Sequence, residues 1–174
     1  MQDLCLQARR SMVRRGKMPP SAHEFALLDM AFSRSDRFAM VRHEPGCDHS
    51  RYLFFPGCQL CASSPEHVES IYALLRDALS GGVGLMLGCC SAPAFWAGRE
   101  DDFAEALEAW RGSWDRMGRP EVVLACSTCF RILKDHLPEV PVRSLWEVIE
   151  DAGLPADPAG AHGSPLAVHD PCTT

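Results

Sequence analysis

Apolar residues along this 174-residue chain fall into two alternating spacings. Short continuous runs recur at Tyr52-Leu53-Phe54-Phe55, at Val83 to Leu87 and at Glu121 to Ala125, with a briefer extended piece over Val140 to Val142. Runs this short and this uniformly apolar predict strands buried on both faces, the habit of a parallel sheet. Between them the spacing becomes helical. Pro65 opens one helix to about Leu79, placing Val68, Ile71, Tyr72, Leu75 and Leu79 on one side, with Gly81-Gly82 as its stop. A longer helix over Glu100 to Met117 aligns Phe103, Leu107, Trp110 and Trp114, and shorter ones cover Ser127 to His136 and Leu145 to Ala152. Strands alternating with helices predict the α/β class: a Rossmann-like parallel sheet with flanking helices.

Upstream the pattern is weaker. Residues 4–15 predict a short Arg-rich amphipathic helix ended by Gly16 and Pro19-Pro20, and Ser21 is placed to cap a second helix over 22–33 with Phe25, Leu28 and Phe32 on one face. Residues 42–50 read as a linker. Three parts are expected: a helical N-terminal segment and linker over 1–50, a cysteine-rich domain over 51–152, and a linker with the first strand of a truncated second domain over 153–174. That last strand is Leu166-Ala167-Val168-His169.

Charge narrows the functional classes. The chain carries 17 basic and 23 acidic side chains, for a net charge of -6. Its mildly basic first 50 residues form no basic face for a nucleic acid, and Arg9-Arg10 and Arg14-Arg15 read as a solvated helix face. No stretch reaches the roughly 18 apolar residues of a membrane span. The N-terminus lacks the apolar core of a secretory signal. The expected location is cytoplasmic, free or peripheral to a membrane complex. In such a reducing compartment nine cysteines point to metal or redox chemistry rather than to disulfides.

The cysteines follow the strands. LFFPGC ends at Cys58, LMLGCC at Cys89 and Cys90, VVLACSTC at Cys126 and Cys129, and AVHDPC at Cys172. Parallel strands joined by right-handed crossovers end at one edge of their sheet, so the first five thiols should meet in one crevice. Five exceed the four ligands of a tetrahedral ion, and the adjacent Cys89 and Cys90 point apart, which favours different iron atoms of a larger cluster. Gly57 and Gly88 would let the backbone approach such a group, and the amide end of the helix at Ser127 would add positive potential. Two alternatives stay open. Cys58, Cys61, Cys126 and Cys129 form two Cys-x-x-Cys knuckles suited to a zinc-stapled structural module, though their separation exceeds the roughly 15–20 residues usual in zinc modules. Cys126 and Cys129 alone suit a thioredoxin-like redox pair. Cys5, Cys47 and Cys61 lie outside the five-thiol pattern, and His169 reads as a strand-end histidine.

The whole series resembles a known family. Cys58, thirty residues, Cys89-Cys90, thirty-five residues and Cys126-x-x-Cys129 is similar to the cysteine-rich CCG domain found in heterodisulfide reductase, in the iron–sulfur subunit of glycolate oxidase and in related Fe–S oxidoreductases. FFPGC, LGCC and ACSTC resemble the family's own phrases, and HDPC resembles the opening of a second such domain. The resemblance implies a noncubane [4Fe-4S] cluster held by Cys58, Cys89, Cys90, Cys126 and Cys129, with Cys172 belonging to a second, incomplete site. It also implies an iron–sulfur oxidoreductase subunit that carries electrons to a disulfide or from a flavin dehydrogenase, beside ferredoxin-like or flavoprotein partner subunits. Residues 1–20 resemble the helical tail of a ferredoxin-like domain. Ser91 stands where the family's motif has glycine.

Overall fold

The computed structural model describes residues 2–19 and 21–153, a mixed α/β architecture. Its strands are β1 (Met40–Arg42), β2 (Tyr52–Phe55), β3 (Val83–Leu87), β4 (Glu121–Leu124) and β5 (Val142–Ser144). The helices among the described residues are α1 (Gln2–Arg14), α2 (Glu24–Ser33), α3 (Cys58–Ser63), α4 (Pro65–Ala78), α5 (Ala92–Ala97), α6 (Glu100–Arg116), α7 (Ser127–His136) and α8 (Leu145–Ala152). The expected strand Leu166-Ala167-Val168-His169 and Cys172 lie outside the described residues.

The sheet order is β1-β3-β2-β4-β5. β2 runs parallel to both β3 and β4, and β4 parallel to β5, so four strands end at the same edge. The chain leaves β2 for β3 on one side and then crosses to β4 on the other. That reversal opens a crevice beyond the carboxyl ends of the strands.

β2 explains why the sheet is covered on both faces. Leu53 and Phe55 enter a core with Phe103, Trp110 and Leu133, under α6 and α7. Tyr52 and Phe54 enter a second core with Val68, Leu75, Leu145 and Val148, under α4 and α8. Leu53, Phe54 and Phe55 are fully buried. Each such side chain contributes about 1.5–3 kcal/mol on leaving water, and a two-sided strand has no polar face to offer solvent.

The first fifty residues add a strand that the hydrophobic pattern does not predict. β1 pairs antiparallel with β3, matching Met40 to Leu87, Val41 to Met86 and Arg42 to Leu85. The sheet is therefore mostly, not wholly, parallel. The expected linker over 42–50 is also anchored: the Glu44 carboxylate accepts from the Val83 amide at 2.7 Å and pairs with Arg76 at 2.9 Å. The amide first, then Arg76, hold that carboxyl below its ordinary range. Ser21 does not cap α2. The helix starts after a left-handed His23 (φ 62°) with no side-chain cap, and it buries Met30 while leaving Phe25, Leu28 and Phe32 exposed. The extended piece expected at 140–142 forms at 142–144, because Val140 is spent on the core. No helix among the described residues is long and apolar enough to cross a membrane.

Gly84 reports on the seating of β1. A Cβ there would lie 2.8 Å from the Arg42 carbonyl oxygen and 3.0 Å from Met117 Cε. Gly84→Ala should therefore destabilise the chain by about 1–3 kcal/mol, the cost of overpacking a closed core. Urea unfolding reads this, and a parent-like midpoint would contradict the observed β1–β3 packing.

Candidate metal centre

Three strand ends build the site. After β2, Pro56 and Gly57 turn the chain into α3, whose first residue is Cys58. Gly57 has φ 85°, and a Cβ on it would stand 3.1 Å from Cys126 Cβ and 3.3 Å from Cys129 Sγ. A glycine is thus needed both for the turn and for the approach of β2 to the thiols of β4. After β3, Gly88 leads to Cys89 and Cys90, both buried. After β4, Cys126 takes the N-cap position of α7 and Cys129 lies in its first turn, 2% exposed.

The five thiols form one connected chain. Cys58 Sγ donates to Cys89 Sγ across 3.7 Å. Cys89 in turn adjoins Cys90, Cys90 adjoins Cys129, and Cys129 adjoins Cys126. The adjacent pair therefore reaches to opposite ends, Cys89 toward Cys58 and Cys90 toward Cys129. All five lie in or against the same core cluster.

Their acidities divide by position. Cys58 is raised far above an ordinary thiol because its proton is engaged by Cys89 and because it is buried. Cys89 receives that bond, which favours its thiolate, yet Cys90 and burial outweigh it and push it up to about 12. Cys129 is raised by Cys126 and then Cys90, its two thiol neighbours. Cys90 is lowered by bonds from Cys129 and Cys89. Cys126 is lowered to about 6, by Cys129 first and also by the Cys129 and Thr128 amides at the open end of α7, although no hydrogen-bonded cap closes there. Cys58, Cys89 and Cys129 keep their protons because those protons are shared with neighbouring thiols and, secondarily, because burial offers no counter-charge. A cationic group would reverse that, releasing protons as it bound.

The surroundings suit a sulfur-ligated group. The Ser91 amide donates to Cys89 Sγ at 3.3 Å, and the Ser91 hydroxyl is buried with no partner. The motif alone marks Ser91 only as a departure from glycine. Its backbone would suit glycine: φ is 62° and ψ 23°, the left-handed region that glycine enters freely. Cys61 belongs elsewhere. It packs against the second core, and burial, followed by the charge of Cys58, pushes it up to about 11. Cys5 and Cys47 are exposed. Among the described residues, no three His, Cys, Asp or Glu side chains are posed around a position for one ion.

A mixed α/β domain with a thiol-lined crevice at its strand ends is the class that fold and site define. Residues 52–134 match the cysteine-rich CCG domain. CCG domains are found in iron–sulfur oxidoreductase subunits. No curated protein and no solved structure matches the chain.

Two outcomes follow from this geometry. Ser91→Gly should relieve a left-handed backbone and stabilise the metal-free chain by about 1 kcal/mol, read from its urea midpoint; a destabilised variant would mean that the hydroxyl is partnered. Iodoacetamide should alkylate Cys126 first among the five crevice thiols of the metal-free protein. Because the thiolate is the nucleophile, that rate should hold above neutrality and fall as pH drops through about 6, followed by peptide mass spectrometry. Faster labelling of Cys58 would contradict the assignment.

Proposed function

We propose that this domain holds an iron–sulfur cluster through Cys58, Cys89, Cys90, Cys126 and Cys129 and works as an electron-carrying subunit of an oxidoreductase. The unbroken chain of five thiols at one sheet edge carries this reading. An all-sulfur donor set is what such clusters take, and five donors with an adjacent pair suit several iron atoms better than one ion. When bound, the cluster supplies one-electron transfer. The chain's own residues hold the sulfurs in place, present the Ser91 amide to one of them, and surround the buried side with Phe55, Trp110 and Leu133. The half-buried Cys58 and Cys126 leave a solvent-facing side by which a partner can approach.

The finer identity belongs to the same proposal. The parallel strands, ordered β3-β2-β4-β5 around a switch point, support a Rossmann-like arrangement. The cysteine spacing supports a noncubane [4Fe-4S] cluster of the heterodisulfide-reductase kind, served by a ferredoxin-like or flavoprotein subunit. Zinc held by Cys58, Cys61, Cys126 and Cys129 has less support, since Cys61 packs with the second core.

Protein purified without oxygen should contain iron and acid-labile sulfide and show a broad brown absorbance. Cys89→Ser and Cys90→Ser should each lose most of that colour, whereas Cys61→Ala should keep it. Stoichiometric zinc without iron, or colour lost in Cys61→Ala alone, would overturn the proposal.

A further inference from the structure

A cavity of ≈530 Å³ opens between α7 and the start of α8, beyond the ends of β4 and β5. It adjoins the thiol crevice, because Cys126 is part of its lining. A volume of this size suits one small molecule, and the carboxyl edge of an open parallel sheet is where such molecules bind.

The lining states what would fit. Trp146 is 70% exposed, an open indole at the mouth, although large aromatics are normally covered. Phe130 adds a second, partly buried ring. Of the two acidic side chains of the lining, Asp135 is held by a cation and Glu147, still charged, by a backbone amide. Asp135 pairs with Arg131 at 3.6 Å, and the Glu147 carboxylate accepts from the Ser144 amide at 2.9 Å to complete the capping box of α8. Lys134 has no acidic partner among the described residues; its ammonium rests 5.4 Å from the centre of the Phe130 ring. Aromatic surface together with a cation that has no acidic partner among the described residues favours a flat ring that carries negative charge.

We propose that this cavity binds a planar aromatic small molecule bearing an anionic group, its ring stacked on Trp146 and its charge met by Lys134. The bound ring would lie beside Cys126, so an occupant would sit directly against the sulfur centre. Binding is argued from the cavity alone and does not require the iron–sulfur reading.

Isothermal titration of the full chain with anthraquinone-2-sulfonate, a planar anionic probe, tests the proposal. One saturable site is expected. Trp146→Ala should weaken it roughly tenfold, the scale of one lost aromatic stack, and Lys134→Glu should weaken it by at least about fivefold, since it reverses the charge that meets the anion. Trp96→Ala, which removes a partly exposed indole on α5, should leave it unchanged. The planar cation phenosafranine should bind at least about tenfold more weakly, by the same charge argument. Lys134 and Trp146 are both exposed, and an unchanged melting temperature confirms that their variants stay folded. Absence of saturable binding at millimolar probe, parent-like affinity in both Trp146→Ala and Lys134→Glu, or equal affinity for phenosafranine would overturn it. A chain that lacks iron yet binds the probe supports this site and retires only the iron–sulfur reading.

Discussion

The arrangement depends on one four-residue strand being dry on both sides. β2 is paired on each edge and packed on each face, so it has no freedom to slip. Moving its register by one residue would exchange Leu53 and Phe55 for Tyr52 and Phe54 between two differently shaped cores. The register it enforces extends past the strand ends. Phe54 stands opposite Leu85, and the same separation of 31 positions joins Cys58 to Cys89. Phe55 stands opposite Leu124, which brings Gly57 level with Cys126. The meeting of the thiols is thus an extension of the strand pairing by two or three residues, with glycine at the point of closest approach.

That placement creates an electrostatic tension. Sulfur packs well among Phe55, Trp110 and Leu133, but thiolates do not, and the hydrogen bonds between crowded thiols, followed by burial, keep most of the donors protonated. The site is stable as thiols and incomplete as ligands. Cys126 and Cys90 are the exceptions, and they flank Cys129, so negative charge collects toward the α7 end of the crevice. A cationic group would meet its most willing donors at the edge that also faces the cavity with Lys134.

Much of this was legible from the residues, for a physical reason. YLFF, VGLML and EVVL are buried on both faces, and continuous apolar runs are the direct signature of such strands. Once they are parallel, the cysteines that follow them must gather. β1 left no such signature. Met40 and Val41 are only partly buried and Arg42 is exposed, and pairing to β3 holds them there. The six-residue α3 and α5 were invisible as well, since helices that short are set by tertiary packing rather than by propensity. Ser21 has the chemistry of a cap but the wrong position, because the backbone turns left-handed at His23. Nor does composition alone show that Ser91 occupies a conformation natural to glycine, or that Cys61, only three residues from Cys58, joins the opposite core.

The antiparallel β1 bears on where this domain can be cut. The family match starts at residue 52, which invites dissection just before β2. Such a fragment would shed β1 and bare the outer hydrogen-bonding groups of Leu85, Met86 and Leu87. It would also free the Val83 amide that Glu44 receives. An apolar strand with an open edge invites pairing with a neighbour, and edge-to-edge pairing is a route to aggregation. The folding unit is therefore longer than the family signature, and its upstream residues act as an edge guard for the strand that leads to Cys89 and Cys90.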